Sequence, residues 1–218
     1  MVAVALALGL SSSAKAGSAL FDFEDQATTS QDGLSTLALS NAGVDATLDR
    51  GGQTFGLLDI SNQSGTSAFG ARTLVPGTTG NNVFNVNFSQ PISTVSLQYG
   101  DFGAKTDTLT LTAWSGPSGT GTLMGISQIN LPAVPNTFTS QTLSLTTNGA
   151  QSVQFDGGAA GASGATDNSV YYDNLAVTTG STGGGTTSVP LPAAAWTAPL
   201  GAALALLAAK RLRQRRVA

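Results

Sequence analysis

Val83-Phe84-Asn85-Val86-Asn87-Phe88, Val95-Ser96-Leu97-Gln98-Tyr99 and Thr108-Leu109-Thr110-Leu111-Thr112-Ala113-Trp114 set apolar against polar residues at every second position. A strand turns successive side chains to opposite faces, so a period of two describes a sheet with one face in a core and the other in water. Phe84, Val86 and Phe88 then point inward against Asn85 and Asn87. Leu109, Leu111 and Ala113 oppose Thr108, Thr110 and Thr112 in the same way. Gln90-Pro91 separates the first two segments and Gly100-Asp101 follows the second, as turn residues would.

Weaker versions of this pattern flank the centre. Leu20 to Asp25, Leu-Phe-Asp-Phe-Glu-Asp, reads as a half-buried strand with Phe21 and Phe23 inward and its acids outward. Gln26 to Gly52 is rich in small polar residues and reads as loop with a short strand near Leu37 or Ala46. Thr54 to Ser61 and Ser67 to Leu74 read as strands around the turn Asn62-Gln63-Ser64-Gly65. Leu123 to Ile129, Phe138 to Leu145, Val153 to Phe155 and Val170 to Val177 complete about nine to ten strands. No stretch between the chain ends carries the 3.6-residue period of a long amphipathic helix. Short strands spaced by turn signals predict an all-β domain over 17–177, a two-sheet antiparallel jelly-roll sandwich.

Composition narrows the chemistry. The 218 residues include no cysteine and no histidine, which excludes disulfides, Cys-ligated metals, His-ligated zinc and every His-based catalytic triad. All twelve acids lie between Asp22 and Asp173, where only Arg50, Arg72 and Lys105 oppose them, a net charge of −9 for that stretch. Such a surface repels nucleic acid and attracts cations.

The two ends read as addresses. Met1 to Ala16 has an apolar stretch from Val2 to Leu10 and the small-x-small end Ala14-Lys15-Ala16, the form of an export signal cleaved before Gly17. Thr178 to Ser188 is a Gly/Ser/Thr linker. Val189 to Ala209 carries no charge and as a helix spans roughly 30 Å, one membrane crossing. Lys210, Arg211, Arg213, Arg215 and Arg216 hold the end in the cytoplasm, and Trp196 suits the opposite headgroup boundary.

Val189-Pro190-Leu191-Pro192-Ala193, a hydrophobic segment and an Arg-rich end, in that order, resemble the PEP-CTERM sorting signals in their VPLPA variant. Leu191 stands where the parent Pro-Glu-Pro pattern has Glu. The resemblance implies a sorting signal over 189–218, made of motif, transmembrane helix and basic tail, its processing by an exosortase-type enzyme, membrane anchoring through the helix before that, and a setting among exopolysaccharide producers. A looser resemblance links the β segments to galactose-binding-like and carbohydrate-binding-module jelly rolls. Its carriers are Phe21-Asp22-Phe23-Glu24, Val95 to Gly100 with Leu109 to Trp114, and Val170-Tyr171-Tyr172-Asp173-Asn174-Leu175-Ala176-Val177.

The residue types allow three kinds of site. Glu24 is the one glutamate, so glycosidase chemistry would need it or a pair of aspartates, and solvated turn acids are the simpler reading. Lys105 is the one lysine in the domain, between Ala104 and Thr106 in an expected turn, and Gly119 to Gly125 lacks the spacing and lysine of a phosphate loop. The chain is therefore read as no enzyme. A sugar site would use aromatic rings, with Tyr99 and Trp114 as ligand residues and Tyr171 and Tyr172 as further candidates. Core packing competes for each, and is preferred for Trp114. A Ca²⁺ site would use Asp22, Glu24 and Asp173, hard oxygen ligands on the first and last strands. The galactose-binding-like resemblance implies calcium where those strands meet, and acids merely facing water are the alternative. The expected role is that of an exported cell-surface or matrix protein with a structural or interaction function. A surface-presented carbohydrate-binding module is the alternative and a polysaccharide hydrolase a more remote one.

Overall fold

The computed structural model describes residues 16–79, 82–103, 106–159 and 170–180. The expected export signal, most of the linker and the sorting tail with its helix lie outside them. Among the described residues no helix is long and apolar enough to cross a membrane.

The described residues form ten strands in order: β1 (Ser18–Phe21), β2 (Thr36–Asn41), β3 (Val44–Asp49), β4 (Phe55–Asp59), β5 (Arg72–Pro76), β6 (Phe84–Asp101), β7 (Asp107–Trp114), β8 (Leu123–Leu131), β9 (Thr139–Ala159) and β10 (Tyr171–Thr179). Every pairing between them is antiparallel. They build two layers. The first runs β2-β3-β6-β9-β7-β8 and uses Phe84 to Phe88 of β6 with Ser152 to Ala159 of β9. The second pairs β6 from Ile92 to Asp101 with β9 from Thr139 to Ala150 on one side and with β10 on the other. The far edge of β10 takes β1 along Leu175 to Thr178 and meets β5 at Tyr172, with β4 beyond β5.

The layers face one another through aromatic rings. Phe84 and Phe155 of the first sheet stack at 5.0 Å, and Tyr172 of the second lies 4.8 Å from Phe155 and 5.5 Å from Phe84. Phe55 closes the group 5.5 Å from Phe84. The alternation read from the sequence supplies the rest, with Val86, Val95, Leu97, Leu109, Leu111 and Val177 all buried. Gly157 is small because the layers meet there, since a Cβ would stand 2.5 Å from the Tyr172 hydroxyl. A satellite cluster of Ile60, Phe69 and Phe138, with Phe102 and Tyr171 against it, packs beside the main core.

Four details differ from expectation. Val83–Phe88 and Val95–Tyr99 belong to one 18-residue strand, and the segments near Phe138 and Val153 to one 21-residue strand. Pro91 does not end β6, because register shifts between Asn87 and Thr94 absorb the residue that lacks an amide donor. Gln26 to Gly52 holds a full hairpin, β2 and β3, around Ala42 and Gly43 at φ 50° and 78°, the doubly left-handed turn that suits strand twist. The first strand stops at Phe21. Phe23 is still buried, but from a turn at φ 60°.

Candidate functional site

The outer face of the first sheet carries a chain of polar side chains across four strands. The Trp114 Nε1 on β7 donates to the Gln154 Oε1 on β9 at 3.1 Å. The Gln154 Nε2 donates to the Asn85 Oδ1 on β6 at 2.8 Å, and the Asn85 Nδ2 donates to the Asp49 Oδ1 on β3 at 2.9 Å. An indole N–H only donates and an ionised carboxylate only accepts, so the two ends fix the orientation of both amides between them. Strand register lines these residues up, because Asp49 pairs with Asn85, Asn85 with Gln154 and Gln154 with Thr112 beside Trp114.

The β7–β8 connection folds onto one side of this face. Ser118 N donates to the Asn87 Oδ1 at 2.6 Å, Gly119 N to the Ser152 Oγ at 3.1 Å, and the Ser152 Oγ to the Gly116 carbonyl at 2.5 Å. On the other side the face stays open along Thr110, Thr112, Gln128 and the exposed carboxylate of Asp156. Thr110 pairs with both Asp156 and Gln128, and the Gln128 Nε2 donates to the Thr110 Oγ1 at 3.1 Å. A half-exposed indole beside amides, hydroxyls and a carboxylate matches what a sugar presents, an apolar CH face ringed by hydroxyls.

The sequence candidates separate here. Trp114 lies on the polar face with Thr108, Thr110 and Thr112 and is half-buried, which corrects its preferred assignment to the core. Its position is even in a strand whose odd positions point inward. Tyr99 is corrected in the opposite sense. It is fully buried opposite Tyr172, which is also fully buried, so neither ring reaches a surface ligand. Burial pushes the Tyr99 phenol up to about 12 and raises that of Tyr172 well above its ordinary value. Tyr171 is half-buried against Phe102 and Phe138, at 5.9 and 6.0 Å. Gln154 and Asp49 escaped the sequence reading. Their signal was the outward parity of β9 and β3, legible only once those strands were placed.

Asp173 on β10 lies within the electrostatic reach of Glu24 and Asp22. A β-bulge between Asp173 and Ala176, with Asn174 at φ 50°, turns this part of β10. Asp173 is 1% exposed and its Oδ1 accepts from Asn174 N at 2.6 Å. Desolvation, and then the charges of Glu24 and Asp22, raise its carboxyl to about 8 against the pull of that amide. Glu24 itself is held, its Oε1 accepting from Ala71 N at 2.7 Å and Arg72 N at 3.0 Å. Gly70, at φ 67°, leaves room for that carboxylate where a Cβ would overlap it. Among the described residues no group of three acidic side chains is close enough together to share a metal ion. An ion here would need backbone or amide oxygens to complete its shell.

No family model and no curated protein matches the chain. Among solved structures it is similar to the K2 cleaved adhesin domain of Lys-gingipain, with TM-score 0.42 and 13% identity over 75% of this chain and 98% of that one. The K1 cleaved adhesin domain from Porphyromonas gingivalis gives TM-score 0.42 and 10% identity over 77% and 99%. A family 29 carbohydrate-binding module from Piromyces equi gives TM-score 0.35 and 10% identity over 78% and 94%.

Proposed function

We propose that this chain is an exported surface or matrix protein whose β-sandwich is a non-catalytic, carbohydrate-binding interaction module. The observation that carries the reading is Trp114, a half-exposed indole on the outer sheet face with its N–H fixed by Gln154 at 3.1 Å. Such a fixed ring stacks on a sugar with little side-chain entropy left to lose. Thr110, Thr112, Gln128 and Asp156 supply donors and acceptors on the open side.

Polysaccharide pull-down across neutral and acidic exopolysaccharides, followed by Trp114→Ala, tests this. Retention on at least one polysaccharide, reduced roughly tenfold by the substitution, is expected. No retention on any, or retention indifferent to Trp114, overturns the glycan reading and leaves a structural role.

Sorting by an exosortase-type enzyme through Val189 to Ala193 belongs to the same proposal and rests on the order of motif, apolar run and basic end. Mass spectrometry of the protein released from its native surface should find a C-terminus between Val189 and Trp196. A dominant form ending intact at Arg215-Arg216 and beyond would refute processing. A Ca²⁺ ion at Asp173, with Asp22 or Glu24 and with backbone or amide oxygens completing its shell, is also proposed, supported by a carboxylate only 1% exposed in the field of two further acids.

A further inference from the structure

β8 is the outermost strand of the first sheet and pairs on one side only, with β7, among the described residues. Its sequence, Leu123-Met124-Gly125-Ile126-Ser127-Gln128-Ile129-Asn130-Leu131, contains no charge and no proline. An unpaired edge of this kind offers a row of backbone donors and acceptors to any other strand, and soluble proteins ordinarily blunt it with lysine, proline or a covering loop. The fold does cover another edge. β4 is met by Leu34, which exchanges two backbone hydrogen bonds with Phe55 at 2.9 Å each, and by Thr29, whose N donates to the Leu57 carbonyl at 2.9 Å. Nothing comparable lies on β8 among the described residues.

The edge is apolar on its flank as well. Ile126 and Leu123 are 61% and 50% exposed and share the outer face with Trp114. The only other large exposed hydrophobic among the described residues is Leu20, at 44%.

Charge decides what fits. From Thr108 to Phe155 the sequence has no charged residue, although the stretch from Asp22 to Asp173 carries a net −9. Two copies meeting through most other surfaces would bring like charges together. Through β8 they bring none. We propose that β8 pairs with β8 of a second copy of this chain, antiparallel about a two-fold axis, so that the first sheets of both copies become continuous. An isologous contact asks only that the strand complement itself, and an uncharged strand with alternating exposed Ile126, Gln128 and Asn130 does so. The inference stands apart from the glycan reading and survives its failure.

The test is sedimentation velocity of the full-length chain over a range of concentrations, in detergent that keeps the tail soluble, with Ile126→Lys as the perturbation. The wild type should show a reversible monomer–dimer equilibrium that tightens with added salt, as the acidic remainder of each copy is screened. Ile126→Lys should weaken the dimer on the order of ten- to a hundredfold, through a lost apolar contact and two apposed cations. Ser40→Lys, on β2 at the opposite edge, should leave it unchanged. The chain has no cysteine, so Ile126→Cys gives a second readout. Oxidation should link two copies through Ile126→Cys and not through Ser40→Cys. A monomer at every concentration overturns the proposal. So does a dimer that persists in Ile126→Lys, which would place the contact in the tail or on another face.

Discussion

Tyr99 and Tyr172 sit opposite one another on β6 and β10, each fully buried, and neither hydroxyl oxygen has a hydrogen-bond partner among the described residues. A phenol hydroxyl in water makes such bonds freely, so burying one unpaired costs about 1–3 kcal/mol. Replacing Tyr172 with Phe removes that cost and forfeits roughly a few tenths of a kcal/mol of dispersion from the lost oxygen. The ring contacts with Phe84 and Phe155 remain. The net gain is about 1–2 kcal/mol, or about 2–8 °C in melting temperature for a chain of this size. Tyr99→Phe should behave alike, and because the two residues are neighbours the double variant need not equal the sum. Urea denaturation should show a higher midpoint at an unchanged slope, the signature of altered stability rather than altered compactness. Tyr99→Phe should also leave polysaccharide retention untouched. A Phe variant that is less stable than wild type would refute the reasoning, and would mean that buried water satisfies these hydroxyls in solution.

Gly157→Ala should destabilise by about 1–3 kcal/mol, because its Cβ would crowd the Tyr172 hydroxyl, Val170 and Leu109 at 2.5, 3.2 and 3.3 Å. Tyr172→Phe should recover part of that loss in thermal unfolding, whereas strictly additive effects would deny the contact. Asp173 has a native value of about 8, above the ~4 of an unfolded aspartate. The native state therefore holds a proton that the unfolded state releases, and in chelator the melting temperature should fall as pH rises from about 4 to about 8. Asp173→Asn should flatten that slope. Millimolar calcium should raise the melting temperature of the wild type at pH 8 and not that of Asp173→Asn. An equal response in both proteins would remove the ion from this site.

Sheet content, the inward faces and the approximate strand positions were legible because a period of two survives in the central strands with few exceptions. What was lost is the continuity of β6 and β9. Gln90-Pro91 and Thr147 to Gly149 look like strand ends, yet bulges carry the chain from one layer into the other there, and a bulge has no reliable residue signature. The β2–β3 hairpin was obscured because Ala42 occupies a left-handed position where Asn or Gly would have announced the turn. Trp114 could have been placed by parity alone, but its size argued for the core and outweighed its even position. The placing of Asp173 near the acids that follow the first strand came only from the galactose-binding-like resemblance. The two backbone amides that hold Glu24 had no local signal, since Ala71 and Arg72, at the start of β5, lie 47 and 48 residues away.

β10 completes the second sheet from within it. It lies between β6 on one side and β1 and β5 on the other, and its partner Ser18 stands opposite Thr178 near the far end of the described chain. A polypeptide made from its N-terminus therefore emerges with β1, β4 and β5 cut off from β6 until the last strand appears. β6 in turn waits for β9, some fifty residues later, before either of its halves has that neighbour. Pairings so distant along the chain form slowly. A nascent chain of this topology stays open until almost all of it has been synthesised, the condition in which a protein can still be threaded through a narrow translocation pore.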